Sequence, residues 1–460
     1  MNDLEGLLDD IRQNPEDDTP RLVAADWFED AGQQERAELI RLQVAQSRLI
    51  PAERNPAIEK RIDQLITSHS RKWLKLPPSI GSVTWERGFP ATLHTSANKF
   101  LSRAEELVRL FPGLRLTNVQ SKLNALAQCP ALQRVRHLEI QKCRSSPQQW
   151  REFLRSPHLC GLRQLGFIQC ELQASHYQEI ADAPVFHQLE SLEIVSRFAP
   201  PNGLRYLRHF NERTFRRLSL RGHDLGPAGV DILADLPGLR NLTELDLSYC
   251  QLDERAGQRL AQFPPFNQLA FLNLHFSTLH REGATAIAES SILDHVERLE
   301  IGFNEITNQG IQAILNSSRL TKLRQLNISH SEGTQIMGRH LACSPLLHQL
   351  RVLALHYNSI GDQGLENFLK TSNLSNLIAL DLRSCELTAT GAQKLAETPE
   401  LQHLRVLWLS GNSLGAKGAM AFIQSPYLQN LWLLSGDQHT FSRRGLERLQ
   451  THFRDRIRDC

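Results

Sequence analysis

Along most of the chain the apolar residues recur in a single frame. The pattern L-x-x-L-x-L-x-x-(N/C/S)-x-L opens at Leu242 (LTELDLSYCQL), Leu269, Val296, Leu323, Leu350, Leu377 and Leu404, each start 27 residues after the last. The frame runs backward through Phe215, Leu189, Leu162 and Val135 in steps of 26, 27 and 27, with a weaker copy at Phe111. A truncated copy is read at Leu428, 24 residues after its predecessor. Within a copy the fourth and sixth positions, such as Leu380 and Leu382, alternate with polar neighbours, the period of a strand with one buried face. One short strand per repeat, stacked in parallel, follows.

The rest of each repeat carries turn and helix signals. The ninth position is Cys143, Cys170, Cys250, Asn304, Asn358, Cys385 or Asn412, small side chains that hydrogen-bond backbone where the strand turns. A glycine then recurs at the fifteenth position (Gly229, Gly283, Gly310, Gly364, Gly391, Gly418), followed by runs such as GAQKLAETPEL with helical apolar spacing. Ser-Pro or Pro stops the helix, as at Ser344-Pro345 and Ser425-Pro426. Glycine in a first helical turn costs helix propensity, so its recurrence predicts a close approach of the helix and strand layers.

This pattern, followed by G-x-x-G-x-x-x-L, resembles the leucine-rich repeat of the ribonuclease-inhibitor type over roughly residues 105–440. The resemblance implies an α/β solenoid, a horseshoe with parallel strands on its concave inner side and helices outside. Its departures are the strict 27-residue step and the segment FAPPNG near Arg197–Asn202, where local irregularity is expected.

The N-terminal 50 residues lack the repeat. Thr19 is placed to cap a helix with Pro20 at its first position, and Leu22, Val23, Trp27 and Phe28 form its apolar face. After Ala31-Gly32 a second helix spans Gln33–Leu49, with Leu39, Leu42 and Leu49 on one side. DDTPRLVAADWFEDAGQQERAELIRLQ resembles the small all-helical repeat-companion domain that precedes leucine-rich repeats in many bacterial proteins, a family with no established chemistry. Residues 51–104 read as a helix through Ile58, Ile62, Leu65 and Ile66, then an entry strand near Gly88–Leu93, together capping the first repeat. Leu446, Leu449, Phe453 and Ile457 share one helix face and cap the other end. The expected organisation is therefore 1–50 helical domain, 51–104 linker and cap, 105–440 repeats, 441–460 capping helix.

Composition fits a thin, elongated core: 41% of 460 residues are apolar. The formal net charge is +2, which makes no case for nucleic acid, yet residues 1–50 carry 12 acidic and 5 basic side chains while residues 51–144 carry 7 and 16. These segments are expected to attract each other. The start MNDLEGLLDDI has acids where a secretory leader has bases, and no apolar run reaches membrane-spanning length, so a cytoplasmic protein without membrane contact is expected. The eight cysteines show no C-x-x-C pair, and phosphate-loop, H-E-x-x-H and G-x-S-x-G motifs are missing. The expectation is a non-enzyme without cofactor or metal. His275 and His356, three repeats apart, lie roughly 14 Å from one another by strand spacing, too far to share an ion.

Candidate binding residues form columns. The eighth positions are Tyr249, Phe276, Phe303, His330 and Tyr357, then Ser384 and Gly411, which stack as a ladder on neighbouring strands. The fifth positions are Asp246, Asn273, Glu300, Asn327, Ala354, Asp381, Trp408 and, in the truncated copy, Trp432. Exposed Tyr, Phe and Trp are typical interface anchors, with Asp246, Glu300 and Asp381 selecting a basic partner. The expected function is binding of a protein or peptide by a monomer through the concave face. The alternative is regulation of a small GTPase, as in activators with similar repeats, through an arginine such as Arg221, Arg281 or Arg383.

Overall fold

The computed structural model describes residues 3–197, 201–209, 211, 213–263, 266, 268–371 and 373–458. They form two compact units, residues 1–217 and 218–460.

The first unit opens with helices α1 (Asp3–Gln13), α2 (Thr19–Asp30), α3 (Gln34–Ser47) and α4 (Pro56–Leu74). The leading segment, read from sequence for its charge alone, is thus a helix: Leu4, Leu7, Leu8 and Ile11 recur at helical spacing and pack with Ala24, Ala25, Phe28, Ala37, Ile40 and Phe89. The face expected of α2 is corrected. Ala24, Ala25 and Phe28 share a side and are buried, whereas Leu22 and Val23 fall about 100° per residue away and stay exposed. Thr19 lies inside the helix, and its N–H is met by Asp17 Oδ1 at 2.9 Å. Trp27 packs partly buried against the same cluster.

Strands β1 (Ser82–Glu86) and β2 (Phe89–His94) form an antiparallel hairpin, and parallel pairing then continues through β3 (Leu114–Val119), β4 (Val135–Gln141), β5 (Gln164–Ile168) and β6 (Ser191–Val195). Helix α3 sits on the hairpin turn. Gly88 has φ +84° and so little room that a Cβ would overlap Ile40, while its N–H donates to Gln43 Oε1 at 2.7 Å. The acidic and basic segments meet here through Arg61 with Glu38 at 2.6 Å and Arg87 with Glu16 at 3.1 Å. Of the irregular segment, Phe198–Pro200 lie outside the described residues, and Pro201–His209 form a 3-10 helix instead of an α-helix.

The boundary between the units falls inside β7 (Arg217–Ser219). The second unit continues with three-residue strands β8 (Glu244–Asp246), β9 (Phe271–Asn273), β10 (Arg298–Glu300), β11 (Gln325–Asn327), β12 (Val352–Ala354), β13 (Ala379–Asp381), β14 (Val406–Trp408) and β15 (Leu433–Ser435), then β16 (Ile457–Arg458), all in parallel succession. The fourth- and sixth-position residues, among them Leu245, Leu247, Leu380 and Leu382, are fully buried. Each strand from β8 to β15 is followed by a turn and, in the next half-repeat, by a helix such as Thr307–Leu315 or Gly415–Gln424. The fold is an α/β leucine-rich-repeat solenoid with a helical N-terminal region.

Three sequence expectations change here. First, β14 pairs with β15 so that Trp408 opposes Ser435, which puts the last repeat's start at Leu431 and keeps the step at 27 residues. Trp432 consequently falls at the second position and does not share the column of Trp408. Second, the fifteenth-position glycines admit the neighbouring helix, not the strand layer: a Cβ on Gly364 would lie 2.9 Å from Gln335 Cα, and one on Gly418 3.1 Å from Ala392 Cβ. Third, Leu449 and Phe453 are buried on the terminal helix Arg443–Phe453, but Ile457 leaves it to pair with Leu434 as strand β16.

Candidate functional site

The ladder is built by the turn that follows each strand of the second unit. At the fifth position Asp246, Asn273, Asn327 and Asp381 bend back to accept the backbone N–H two residues on, from Ser248 (2.9 Å), His275 (3.0 Å), Ser329 (3.0 Å) and Arg383 (3.1 Å). These acids and amides are therefore turn formers, a role the column reading missed although Asx turns have this composition. The next residue swings into the left-handed region: φ is +59° at Tyr249, +55° at Phe276, +59° at Phe303, +45° at His330 and +58° at Tyr357. Ser384 and Gly411 hold the same conformation at +50° and +77°. Bulky side chains pay in backbone strain for this placement, about 1–2 kcal/mol each by comparison with glycine.

The rings stack in sequence order. Centroids lie 4.9 Å apart for Tyr249 and Phe276, 5.8 Å for Phe276 and Phe303, 4.6 Å for Phe303 and His330, and 6.2 Å for His330 and Tyr357. Exposure is 48% at Phe276 and 55% at Tyr357, so the ladder presents ring faces and edges to solvent. The seventh positions thicken it. Arg221 lies 4.9 Å over Tyr249, His275 stands 4.8 Å from Phe303, and His356 is 5.5 Å from Tyr357. Sequence spacing alone puts none of these three in the ladder, because they stand in the seventh column and the rings in the eighth. After Tyr357 the rings stop at Ser384 and Gly411, and half-buried Trp408 stands beyond on β14.

The acids are less available than sequence suggests. Asp381 is 5% exposed; its Oδ2 accepts from Arg383 Nη2 at 2.6 Å and lies 3.1 Å from His356 Nδ1. Burial alone would raise its carboxyl, yet His356 and Arg383 hold it below the ordinary aspartate value. Glu300 accepts from Arg298 Nε at 2.8 Å and Asn327 Nδ2 at 2.7 Å. Asp246 remains half-buried beside Ser219. Arg281, one of the arginines considered for a GTPase, bonds Glu282 and Gln309.

The ninth-position cysteines Cys143, Cys170, Cys250 and Cys385 are free and buried. Burial pushes the thiols of Cys250 and Cys385 up to about 12 and that of Cys170 up to about 11. Their S–H groups donate to carbonyls of the preceding repeat at 3.1–3.4 Å, as Cys250 does to Leu220. Among the described residues no group of three or more His, Cys, Asp or Glu is arranged to hold a metal ion, and no helix is long and apolar enough to cross a membrane.

The family model described as Leucine Rich repeat matches residues 238–261, 294–315, 347–369, 373–396 and 400–422. These five segments of the chain are leucine-rich repeats. Among solved structures, similarity extends to an internalin from Listeria monocytogenes (16% identity, 80% of this chain and 94% of that one, TM-score 0.44). A chain of the yeast Rad7–Elc1 complex follows (15% identity, 92% and 93%, TM-score 0.46), and then a TLR13–ssRNA13 complex (16% identity, 75% and 57%, TM-score 0.32). No curated protein matches by sequence. Of the residues singled out from the sequence, the structure brings Tyr249, Phe276, Phe303, His330 and Tyr357 together, sets Asp246, Glu300 and Asp381 on the strands beside them, and leaves Trp432 elsewhere.

Proposed function

We propose that the strand face of the second unit, the side read from sequence as concave, binds a protein or peptide partner and performs no chemistry. The observation that carries this reading is the ring ladder in left-handed backbone. Five consecutive repeats hold large rings where Gly411 shows the less strained choice, and two of those rings stay about half exposed. Aromatic side chains held rigid and half exposed lose little entropy on docking, which is why Tyr and Trp dominate interface energetics. Tyr249, Phe276, Phe303, His330, Tyr357 and Trp408 form the anchor row. Asp246 and Glu300 give the partner's basic groups their nearest carboxylates, and Asp381, being buried, fixes Arg383 and His356 instead. A monomer located in the cytoplasm is consistent with this role.

The test is affinity capture from a lysate of the source organism with the wild-type chain and with a Phe303→Ala, Tyr357→Ala double variant, both checked for folding by circular dichroism. Loss of the captured protein with the folded variant supports the ladder; undiminished capture moves the site elsewhere. GTP hydrolysis by a panel of small GTPases, measured with and without the chain, tests the alternative role.

A further inference from the structure

The rings of the ladder are not equally presented. Phe276 and His330 are exposed, Phe303 between them is half-buried, and Tyr357 is exposed again at the end of the row. Phe303 is shielded because rings close in from both neighbouring repeats: His275 stands 4.8 Å from it, His330 4.6 Å and His356 6.2 Å. A saddle results, with Phe303 as its floor and Phe276 and His330 as its walls. Those walls are two strands apart, about 9.6 Å by the spacing of paired strands, and the row from Tyr249 to Tyr357 extends over about 19 Å.

The period of the walls selects among peptide conformations. A polyproline II helix presents the same face every three residues, about 9.3 Å along its axis, which matches two strand steps. One face of an extended strand recurs every roughly 6.6 Å, which fits neither one step nor two, and two turns of an α-helix overshoot the walls by about 1 Å. Backbone chemistry points the same way. An added strand takes its hydrogen bonds from a sheet edge, but the strands beneath the ladder, β8 to β12, already have a neighbour on both sides. Polyproline II leaves its carbonyls without internal partners, and Tyr249, His330 and Tyr357 carry O–H or N–H donors on the ladder itself.

We infer that the ladder docks a proline-rich segment of the partner in polyproline II conformation, with prolines recurring every third residue and a basic side chain among them. The inference rests on the reading of the ladder as the partner site. Proline rings pack on aromatic side chains in this mode, and a segment already held in polyproline II loses little freedom on docking. Charge supplies the basic residue. Glu305, Glu332 and Glu386 border the ladder two residues beyond its column, all exposed and in the same left-handed backbone, with φ +51°, +57° and +60°. Glu386 accepts from Ser359 Oγ at 2.7 Å, and Glu305 lies 3.7 Å from His280 Nδ1. On the strand side stand Asp246 and Glu300, while Arg221 is spread over Tyr249 and Arg383 is held by Asp381. Carboxylates on both sides of the rings favour Arg or Lys in the segment and repel the phosphates of a single-stranded nucleic acid, whose bases would otherwise stack on the same rings.

The test titrates the full chain by isothermal calorimetry with deca-proline carrying an arginine at each end, with a glycine–serine peptide of the same length and ends, and with decathymidylate. Saturable binding of the proline peptide, at least about tenfold tighter than the glycine–serine peptide, supports the proposal. Phe303→Ala is expected to weaken it at least about tenfold, and a Glu305→Gln, Glu332→Gln double variant about threefold. Phe276→Gly, which installs the residue found at Gly411, serves if Phe303→Ala melts early. Absence of binding, equal binding of the glycine–serine peptide, tighter binding of decathymidylate, or unchanged affinity in a folded ladder or glutamate variant overturns the proposal. Competition separates it from the reading beneath it. Excess proline peptide is expected to release the protein captured from lysate. Capture that needs Phe303 and Tyr357 yet survives the peptide overturns the polyproline assignment alone, whereas capture indifferent to those rings overturns the site itself.

Discussion

Asn304 completes the turn of the repeat before its own: its Oδ1 accepts the N–H of Ser277 at 2.8 Å while its Nδ2 donates to Leu274 O at 2.7 Å. Asn358 repeats the arrangement with Ser331 at 3.0 Å and Ile328 O at 3.0 Å, and Asn412 with Cys385 and Leu382 O. All three asparagines are at most 4% exposed. Truncating Asn304 to Ala strands several buried backbone groups and is expected to cost about 2–3 kcal/mol in urea unfolding. Asn304→Cys should cost less than Asn304→Ala, since Cys250 and Cys385 show that a thiol still reaches the preceding carbonyl. Equal losses for the two substitutions would refute this account.

His223 holds the equivalent position in its repeat, fully buried, with Nδ1 2.7 Å from Leu220 O. Burial lowers its pKa from 6.5 to about 4. The folded chain therefore resists protonation that the unfolded chain accepts, so the stability is present above pH 6.5 and drains as pH falls from there to about 4. The expected loss over that window is on the order of 3 kcal/mol. His223→Asn, which installs the side chain used by other repeats, should flatten the pH dependence measured by denaturant melts between pH 7 and pH 4.

Two glycines predict opposite signs. A Cβ on Gly338 would overlap the carbonyl of Gly364 in the next helix, so Gly338→Ala must push neighbouring helices apart and is expected to destabilise by about 1–3 kcal/mol. Gly6 sits within α1 with nothing inside 4 Å of an added Cβ. Gly6→Ala should raise the melting temperature through helix propensity alone, by about 0.5–1 kcal/mol.

The two tryptophans test where the partner surface ends. Trp408→Ala is expected to weaken partner capture, while Trp432→Ala, which removes the ring under Arg405, should leave capture unchanged. Capture with the same two purified variants checks both halves. A loss with Trp432→Ala as large as that with Trp408→Ala, in chains that melt like wild type, would carry the surface back to the start of the strands.

Much of this fold was legible because a 27-residue period repeated many times averages out local ambiguity: up to the copy at Leu404 the strands and their leucines fell where the frame put them. Legibility failed where one copy had to stand alone. In LQNLWLL both Leu428 and Leu431 satisfy the pattern's opening leucine, and hydrophobicity cannot choose between them; the hydrogen-bonded register with β14 does. Helix α1 is hard to read because it is short and rich in acids, and only four apolar residues, Leu4, Leu7, Leu8 and Ile11, carry its helical spacing. At the candidate site, sequence spacing identified the rings, but not that Asp381 would be consumed by Arg383 and His356, since that depends on side chains from adjacent strands converging.

The asparagine and cysteine bonds reach back one repeat each, to carbonyls 30 positions earlier and N–H groups 25 or 27 positions earlier. A repeat in the second unit is therefore finished by its successor. Excising 27 residues between equivalent ninth positions rejoins like to like, because the new neighbour offers the same donors and acceptors at the same separation. Excising a number that is not a multiple of 27 leaves a buried asparagine facing the wrong carbonyl. Chain length in this unit is consequently quantised: it can grow or shrink by whole repeats with every internal bond re-formed, and a surface spread over several strands can be lengthened or shortened without redesigning what holds it.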